Sequence, residues 1–201
     1  RNKRRRLEDM GRITLLKAAT PADITKVADA FLEQKAARFA DLGIADPFAE
    51  EGVMTMLTSA AMPCEGAGPS ILWHALVLEG RIIASFVGAV DAQRYSGMAT
   101  SFTADEAIAR LSPGEALLAE LILDQAKAGR QMFDLGVGEA RYKTTFCDLS
   151  EAMCETVLPI TARGYLVLAL LQLRRIAKQA AIVFGRRHPT AFRALRRLAR
   201  P

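Results

Sequence analysis

The sequence has few of the residues that build metal centres and disulfide frameworks. Its 201 residues include three cysteines, Cys64, Cys147 and Cys154, and two histidines, His74 and His188, which stand far apart. Because the number of cysteines is odd and none forms a CxxC pair, neither a zinc site nor a disulfide framework is expected. We therefore predict no bound metal, and this use of cysteine favours a reducing cytoplasm.

Long hydrophobic runs are also missing. The apolar stretch from Tyr165 to Leu173 has nine residues, whereas a helix needs roughly 20 to cross a bilayer, so we predict no transmembrane helix. Arg1 is not a natural start and no signal peptide follows it. We expect the chain to be a piece of a longer protein, with "RNKRRRLEDMGR" as the end of a basic helix.

Acidic residues are absent from the last 41 positions, although the net charge of the chain is only +5. Residues 161–201 carry ten basic side chains, residues 1–9 carry five basic and two acidic ones, and residues 10–160 carry twelve basic and twenty acidic ones. A basic tail suits an anionic membrane surface, a polyanion or nucleic acid. The alternative is that residues 161–201 dock on the acidic body of the chain. We expect a cytoplasmic protein that binds peripherally to the inner membrane if the tail meets lipid.

Helical spacing dominates the first sixty residues. Thr20-Pro21-Ala22-Asp23 has the composition of a helix start, and the apolar positions that follow predict a helix to about Leu42, where Gly43 ends it. Asp46-Pro47 predicts the start of another helix, which ends before Pro63. Residues 64–69 are predicted to form a loop.

The middle of the chain changes to a strand pattern. The runs "ILWHALVL" and "RIIASFVGAV" flank Glu79-Gly80, which is typical of a hairpin turn, and "YSGMATSF" predicts a third antiparallel strand. "SPGEALLAELILDQAKAGR" predicts a helix, "QMFDLG" a short buried strand, 142–146 a short helix, "EAMCETVLPI" a further strand, and the last forty residues helices. The fold class is therefore α+β, or mixed α/β. We place the first domain at residues 1–160 and a basic helical extension at 161–201.

Two segments carry residues with useful chemistry. Ser112-Pro113-Gly114-Glu115 has the sequence pattern of a capping box. Gly114 would expose backbone N–H groups of the kind that bind phosphate at a helix N-terminus. The alternative is a helix cap and nothing more.

The second segment follows the short strand. Asp134 stands at its end, where side chains of α/β sheets project into a crevice, or it caps the next turn. Tyr142 can donate a phenol proton and Lys143 can offer a cation, while Gly136-Val137-Gly138 is a turn that lacks the third glycine of the dinucleotide fingerprint. We expect His74 to be a hydrogen-bonded core residue and not a base.

These segments together resemble the acyltransferase domain of the GNAT superfamily, in particular its Fem-like branch with the CelD-type cellulose-biosynthesis proteins and the BioF2-like acetyltransferases. The resemblance covers roughly residues 4–160, and its most specific part is "FDLGVGEARYKTTF" at 133–146. It also rests on "RRRLEDMG" at 4–11, "FLEQKAARFADLGIADPFA" at 31–49, "ILWHALVLEGRIIASFVGA" at 71–89 and "LSPGEALLAELI" at 111–122.

The resemblance implies an acyl-CoA N-acyltransferase fold with a curved mixed sheet flanked by helices. Acetyl-CoA or another acyl-CoA is the implied donor, with its diphosphate at Ser112, Pro113, Gly114 and Glu115. The implied acceptor is an amine or hydroxyl of a small molecule or glycan related to the cell envelope or to polysaccharides. Tyr142 matches the acid that protonates the thiolate, and Asp134 and Lys143 would shape the acceptor pocket or bind phosphates.

One departure leaves the donor open. The phosphate loop usual in GNAT proteins, Q/R-x-x-G-x-G/A, is missing, and Leu111-Ser112-Pro113-Gly114 supplies one glycine where that loop has two. Fem-type relatives take an aminoacyl group from tRNA, so a tRNA-dependent transferase is the first alternative. A catalytically degenerate binding module at an anionic membrane is the second.

Overall fold

A single mixed sheet organises the first part of the chain. The computed structural model describes residues 2–63, 66, 68–154 and 156–187, and two compact units divide after Leu149. The strands are β1 (Ile13–Ala18), β2 (Ile71–Leu78), β3 (Arg81–Val90), β4 (Arg94–Phe102) and β5 (Met132–Asp134), arranged in that order. Neighbours are antiparallel except β4 and β5, which are parallel. The α+β prediction is confirmed.

Helices cover both faces of this sheet. They are α1 (Asn2–Glu8), α2 (Pro21–Leu42), α3 (Glu51–Ser59), α4 (Glu106–Ala109), α5 (Pro113–Lys127) and α6 (Lys143–Phe146). Trp73 and Val87 pack with Phe31 of α2 and Leu57 of α3 on one face. On the other face the sheet packs against α1 and α5, through a cluster that includes Leu7, Leu76, Phe86, Tyr95, Leu117 and Leu121. The two cores follow from the period-two alternation of the central strands.

Local chemistry explains two boundaries that the sequence predicts. The Thr20 hydroxyl accepts the N–H of Asp23 at 3.1 Å, and Gly43 ends α2 in the left-handed conformation (φ 61°). The β2–β3 hairpin turns at Glu79 (φ 47°) and Gly80 (φ 83°), and this pair of positive φ angles matches the twist of the strands that it joins.

Three predictions of secondary structure are wrong. Asp46-Pro47 begins a short 3-10 turn, Pro47–Ala49, and α3 starts only at Glu51. The described residues of the segment 151–160 form no strand, because apolar residues need a hydrogen-bonding neighbour as well as a suitable composition. The strand at residues 132–134 is only half-buried, since Met132 is exposed. β1 and α4 are elements that the pattern did not predict.

The second unit contains one described helix, α7 (Ala162–Arg187), 26 residues long. Several of its apolar side chains are exposed, among them Leu166, Leu170 and Leu173. Within the described residues no helix has the length and hydropathy required to cross a membrane. The predictions for residues 188–201 lie outside the described residues.

Candidate active site

The parallel strands β4 and β5 pair over only three residues, from Arg94 with Met132 to Ser96 with Asp134. Beyond Ser96, β4 runs on to Phe102 with no strand paired on its β5 side in the described part of the chain. The β3–β4 register shifts at the same point, so that Gly97 and Ala99 have partners on β3 and Met98 does not. The bulge at Met98 bends β4, and its free edge opens where the two strands part.

Helix α5 begins next to the end of this free edge. A Cβ built on Gly114 would lie 3.8 Å from Cδ1 of Phe102 and would meet no other atom within 4 Å. The N–H groups of Glu115 and Ala116 donate to the Ser112 carbonyl at 3.0 and 3.2 Å. Neither bond uses the N–H of Gly114, so the first turn of α5 presents a backbone donor at an uncrowded position.

The predicted capping box at this turn is wrong in its main feature. Ser112 has left-handed backbone angles (φ 56°, ψ 60°), and its side chain makes no capping hydrogen bond. The reason is the preceding chain, because the N–H groups of Leu111 and Ser112 continue from α4 by donating to Ile108 and Ala109. The tight passage from α4 to α5 thus replaces the side-chain cap.

A basic side chain neutralises the acid in this turn. Lys3 of α1 donates to Glu115 at 2.5 Å, and Arg4 of α1 pairs with Glu120 one turn further along α5. Glu115 on its own would oppose the positive field of the helix N-terminus. Because Lys3 balances that charge, the field at Gly114 remains suited to an anion.

The loop after β5 is held at both ends by residues predicted for the site. The Asp134 carboxylate accepts the N–H of Gly136 at 2.7 Å and lies 3.8 Å from the Arg94 guanidinium. The Lys143 ammonium donates to the carbonyls of Gly136 and Val137 at 2.9 and 3.1 Å. The structure therefore brings Asp134 and Lys143 to one glycine turn, and it realises the turn-capping alternative for Asp134.

Tyr142 immediately precedes α6 and packs partly against the core cluster under α5. Burial raises the pKa of its phenol, and nearby Cys147 raises it further. The phenol thus remains protonated around neutral pH, as a proton donor must.

The two predicted groups follow the ends of neighbouring strands of the sheet. Gly114 follows the carboxyl end of β4, and Tyr142 follows the carboxyl end of β5. Since β4 and β5 are parallel neighbours, these ends share an edge, and a crevice at that edge is the usual ligand position in open α/β sheets.

The model of a family described as acetyltransferase (GNAT) domain matches residues 1–144 of the chain. The chain belongs to this GNAT acetyltransferase family. It is therefore an enzyme of the acyl-CoA-dependent N-acyltransferase class, and no curated protein sequence matches it. The match concerns the domain as a whole, so the Fem-like branch remains a prediction.

Solved structures show the same fold. An aminoglycoside acetyltransferase from an uncultured soil metagenomic sample, solved with trehalose and separately with sisomicin, has a TM-score of 0.51 in both cases. Its identity is 12%, and the alignment covers 74% of this chain and 97% of that one. A predicted acetyltransferase from Clostridium acetobutylicum, solved with acetyl-CoA, has a TM-score of 0.48 at 13% identity, with 73% and 97% coverage.

Sequence reasoning missed two groups around the site of this GNAT domain. Lys3 and Glu115 form an ion pair although they are 112 positions apart in the chain. Their opposite charges are the one sequence feature that is consistent with this pair. Arg94 lies beside Asp134 because β4 and β5 are in register there, which no local pattern reveals.

His74 belongs to a buried polar group under α5 and not to the candidate site. Its side chain is buried, its Nε2 lies 4.0 Å from Asp124, and its Nδ1 has no hydrogen-bond partner among the described residues. The core position is confirmed, but the expected hydrogen bond is not found. Burial is the main cause of the lowered pKa of His74, and Lys17, which pairs with Asp124, adds to it.

Proposed function

We propose that this domain transfers an acetyl group from acetyl-CoA to an amine or hydroxyl of a small molecule or glycan related to the cell envelope or to polysaccharides. Membership of the GNAT family supports the reaction class. The choice of acetyl-CoA as donor depends on what the structure shows in the first turn of α5. There an uncrowded glycine and a neutralised acid lie at the end of the free β4 edge.

The donor site of this proposal uses the backbone more than side chains. The diphosphate binds at residues 112–115, where the Gly114 N–H and the helix field attract an anion. Ser112 and Pro113 shape this turn, because Ser112 supplies the carbonyl that accepts two helix N–H groups and Pro113 is buried. The acyl arm lies along the free edge of β4 towards the bulge at Met98.

The chemistry needs one nucleophile and one proton donor. The acceptor nitrogen or oxygen attacks the thioester carbonyl, a new C–N or C–O bond forms, and the C–S bond breaks. The Tyr142 hydroxyl donates its proton to the departing thiolate. The acceptor loses one proton to water as it attacks, and the phenolate of Tyr142 takes up a proton from water. The raised pKa of the phenol supports this role, because the neutral phenol keeps its proton until the thiolate leaves.

Asp134 and Lys143 shape the acceptor pocket in this mechanism. Their bonds to the glycine turn at 136–137 fix the loop that leads from β5 to Tyr142. Lys143 already donates to two carbonyls, so we assign it to the loop and not to the donor phosphates. The second oxygen of Asp134, which faces Arg94, can receive an acceptor ammonium.

Calorimetric titration of the chain with acetyl-CoA tests the donor directly. We expect saturable binding, and release of free thiol when an acceptor is added. Trehalose and sisomicin, which occupy the structure of similar fold, are the first acceptors to try. No heat at millimolar acetyl-CoA would overturn the CoA proposal, and transfer from charged tRNA in its place would establish the Fem-type alternative.

A further inference from the structure

Within the second unit, no other described helix or strand covers the exposed apolar side chains of α7. Leu166, Leu170 and Leu173 are 68%, 61% and 62% exposed, and Ile176 is 63% exposed. Large apolar side chains on a water-soluble helix normally pack against a core. A 26-residue helix that exposes them along its length is typical of an interaction surface.

The charges of this segment indicate the kind of partner. Between residues 161 and 201 there are ten basic and no acidic side chains. On the α7 helix, Leu173 and Ile176 lie on one side at helical spacing. Arg174 and Arg175 lie on the other side, which also carries the exposed Val167. An apolar side combined with charged side chains that are all basic is typical of a helix that lies in the interface of an anionic membrane.

The two other candidate partners explain less of this surface. A nucleic acid would be bound through phosphate contacts of the basic side, which gives no use to the exposed leucines. Docking on the acidic body would bring acidic side chains to the basic helix but would also require an apolar patch to receive Leu166, Leu170 and Leu173. An anionic bilayer accepts both sides of the helix at once.

We propose that α7 is an in-plane anchor that binds the surface of an anionic membrane. The leucine side chains and Ile176 enter the boundary between headgroups and acyl chains, and Arg174 and Arg175 remain at the anionic headgroups. The proposal is independent of the acetyl-transfer activity, because it concerns a unit that contains no residue of the candidate active site.

Flotation of the whole chain with vesicles tests this anchor. Vesicles with about one quarter phosphatidylglycerol in phosphatidylcholine should carry the protein to the top of the gradient, and pure phosphatidylcholine vesicles should carry much less. Binding should weaken as salt is raised but not vanish, because the apolar contribution is insensitive to screening. Equal binding to both vesicles, or no flotation, would overturn the proposal.

A matched pair of variants separates the apolar contribution from the charge. Leu173→Glu and Gln172→Glu each add one negative charge at neighbouring exposed positions. Because only the first also removes a leucine that would enter the lipid interface, L173E should lower vesicle binding at least about tenfold more than Q172E. Similar losses in the two variants would contradict an apolar anchor, and retention of vesicle binding by L173E would do so as well.

The single tryptophan offers a second readout. Trp73 is 1% exposed in the core, so its emission should not respond to lipid. A tryptophan introduced by Leu170→Trp should shift to shorter wavelength with anionic vesicles and not with transfer RNA. A shift produced by tRNA and not by vesicles would replace the membrane with nucleic acid as the partner.

Discussion

Burial shifts the pKa of several side chains of this domain towards the uncharged form, and Tyr142 and His74 are two of them. For Tyr142 the consequence is chemical, because a neutral phenol can donate a proton. For His74 the consequence is energetic, because protonation must compete with folding.

Substitution Tyr142→Phe should lower kcat about 10²- to 10³-fold, as expected for the loss of a general acid. The KM for acetyl-CoA should change little, because the ring and its packing remain. Steady-state kinetics with saturating acceptor measure both constants, and Tyr165→Phe on α7 is the matched control. An unchanged kcat in Y142F would remove Tyr142 from the mechanism.

The stability of the domain should fall with acid because of His74. Burial lowers the pKa of His74 to about 4, Asp124 opposes this change, and Lys17 and Arg130 add to it. The unfolded chain, with an ordinary histidine pKa, binds a proton first as the pH falls. The histidine contribution is therefore complete above about pH 6.5 and is lost by about pH 4, an amount of about 3 kcal/mol.

The variant His74→Leu tests this linkage, since leucine does not titrate. Urea midpoints at about pH 7 and about pH 4.5 give the pH dependence of the free energy of unfolding. The dependence should be shallower in H74L than in the wild type. Identical slopes would show that His74 does not couple folding to protons.

At the scale of helices and strands, the first turn of α5 is the element on which donor binding depends. Gly114→Ala should leave the fold intact, because the added Cβ makes only an ordinary contact with Phe102, and it should stabilise the helix by up to about 1 kcal/mol. The same methyl crowds the Gly114 N–H, so the KM for acetyl-CoA should rise several-fold.

A second glycine provides the control for this effect. Gly52 lies in the first turn of α3, and a Cβ there would meet nothing within 4 Å. Gly52→Ala should therefore raise stability in the same way without changing the KM for the donor. A donor KM that is equally unchanged in G114A would argue against binding at this turn.

For Gly88 of β3, the packing of the sheet predicts that substitution by alanine lowers stability, in contrast to Gly114 and Gly52. A Cβ at Gly88 would collide with the ring of Tyr95, which is fully buried and stacks on Phe133 at 4.8 Å. Gly88→Ala should destabilise the domain by about 2–3 kcal/mol, measured by denaturant unfolding. In a Tyr95→Leu background the cost should be smaller, and an equal cost would exclude this collision.

Elements with strong local signals could be predicted from the sequence, and those set by distant neighbours could not. Thr20 and Gly43 fixed the ends of α2 because both act within one turn of the helix. Ser112 has the same type of side chain as Thr20, yet the passage from α4 forces it into left-handed angles. β1 was missed because its short sequence forms a strand by pairing with β2, more than fifty residues later.

In the candidate site, too, some features could be predicted from the local sequence and others could not. Tyr142 and Gly114 stand out by residue type and by their place after strands of the sheet. The ion pair of Lys3 with Glu115 and the bonds of Lys143 to two carbonyls depend on the folded chain. Sequence patterns therefore indicated the chemistry of the site but not which charges are already satisfied.

At the scale of the whole molecule, an acidic body contains the GNAT domain and a strongly basic segment contains α7. Net charge of this kind influences where a protein binds more than how it folds. Acetyl transfer belongs to the GNAT domain, and the membrane binding that we propose belongs to the second unit, so that either can be tested without the other.

A crystal structure with coenzyme A tests the central claim, which is that the first turn of α5 binds the donor diphosphate beside the free edge of β4. We predict diphosphate oxygens within hydrogen-bonding distance of the Gly114 N–H and the thiol directed along β4 towards Tyr142. Coenzyme A bound elsewhere, with the first turn of α5 empty, would contradict the account.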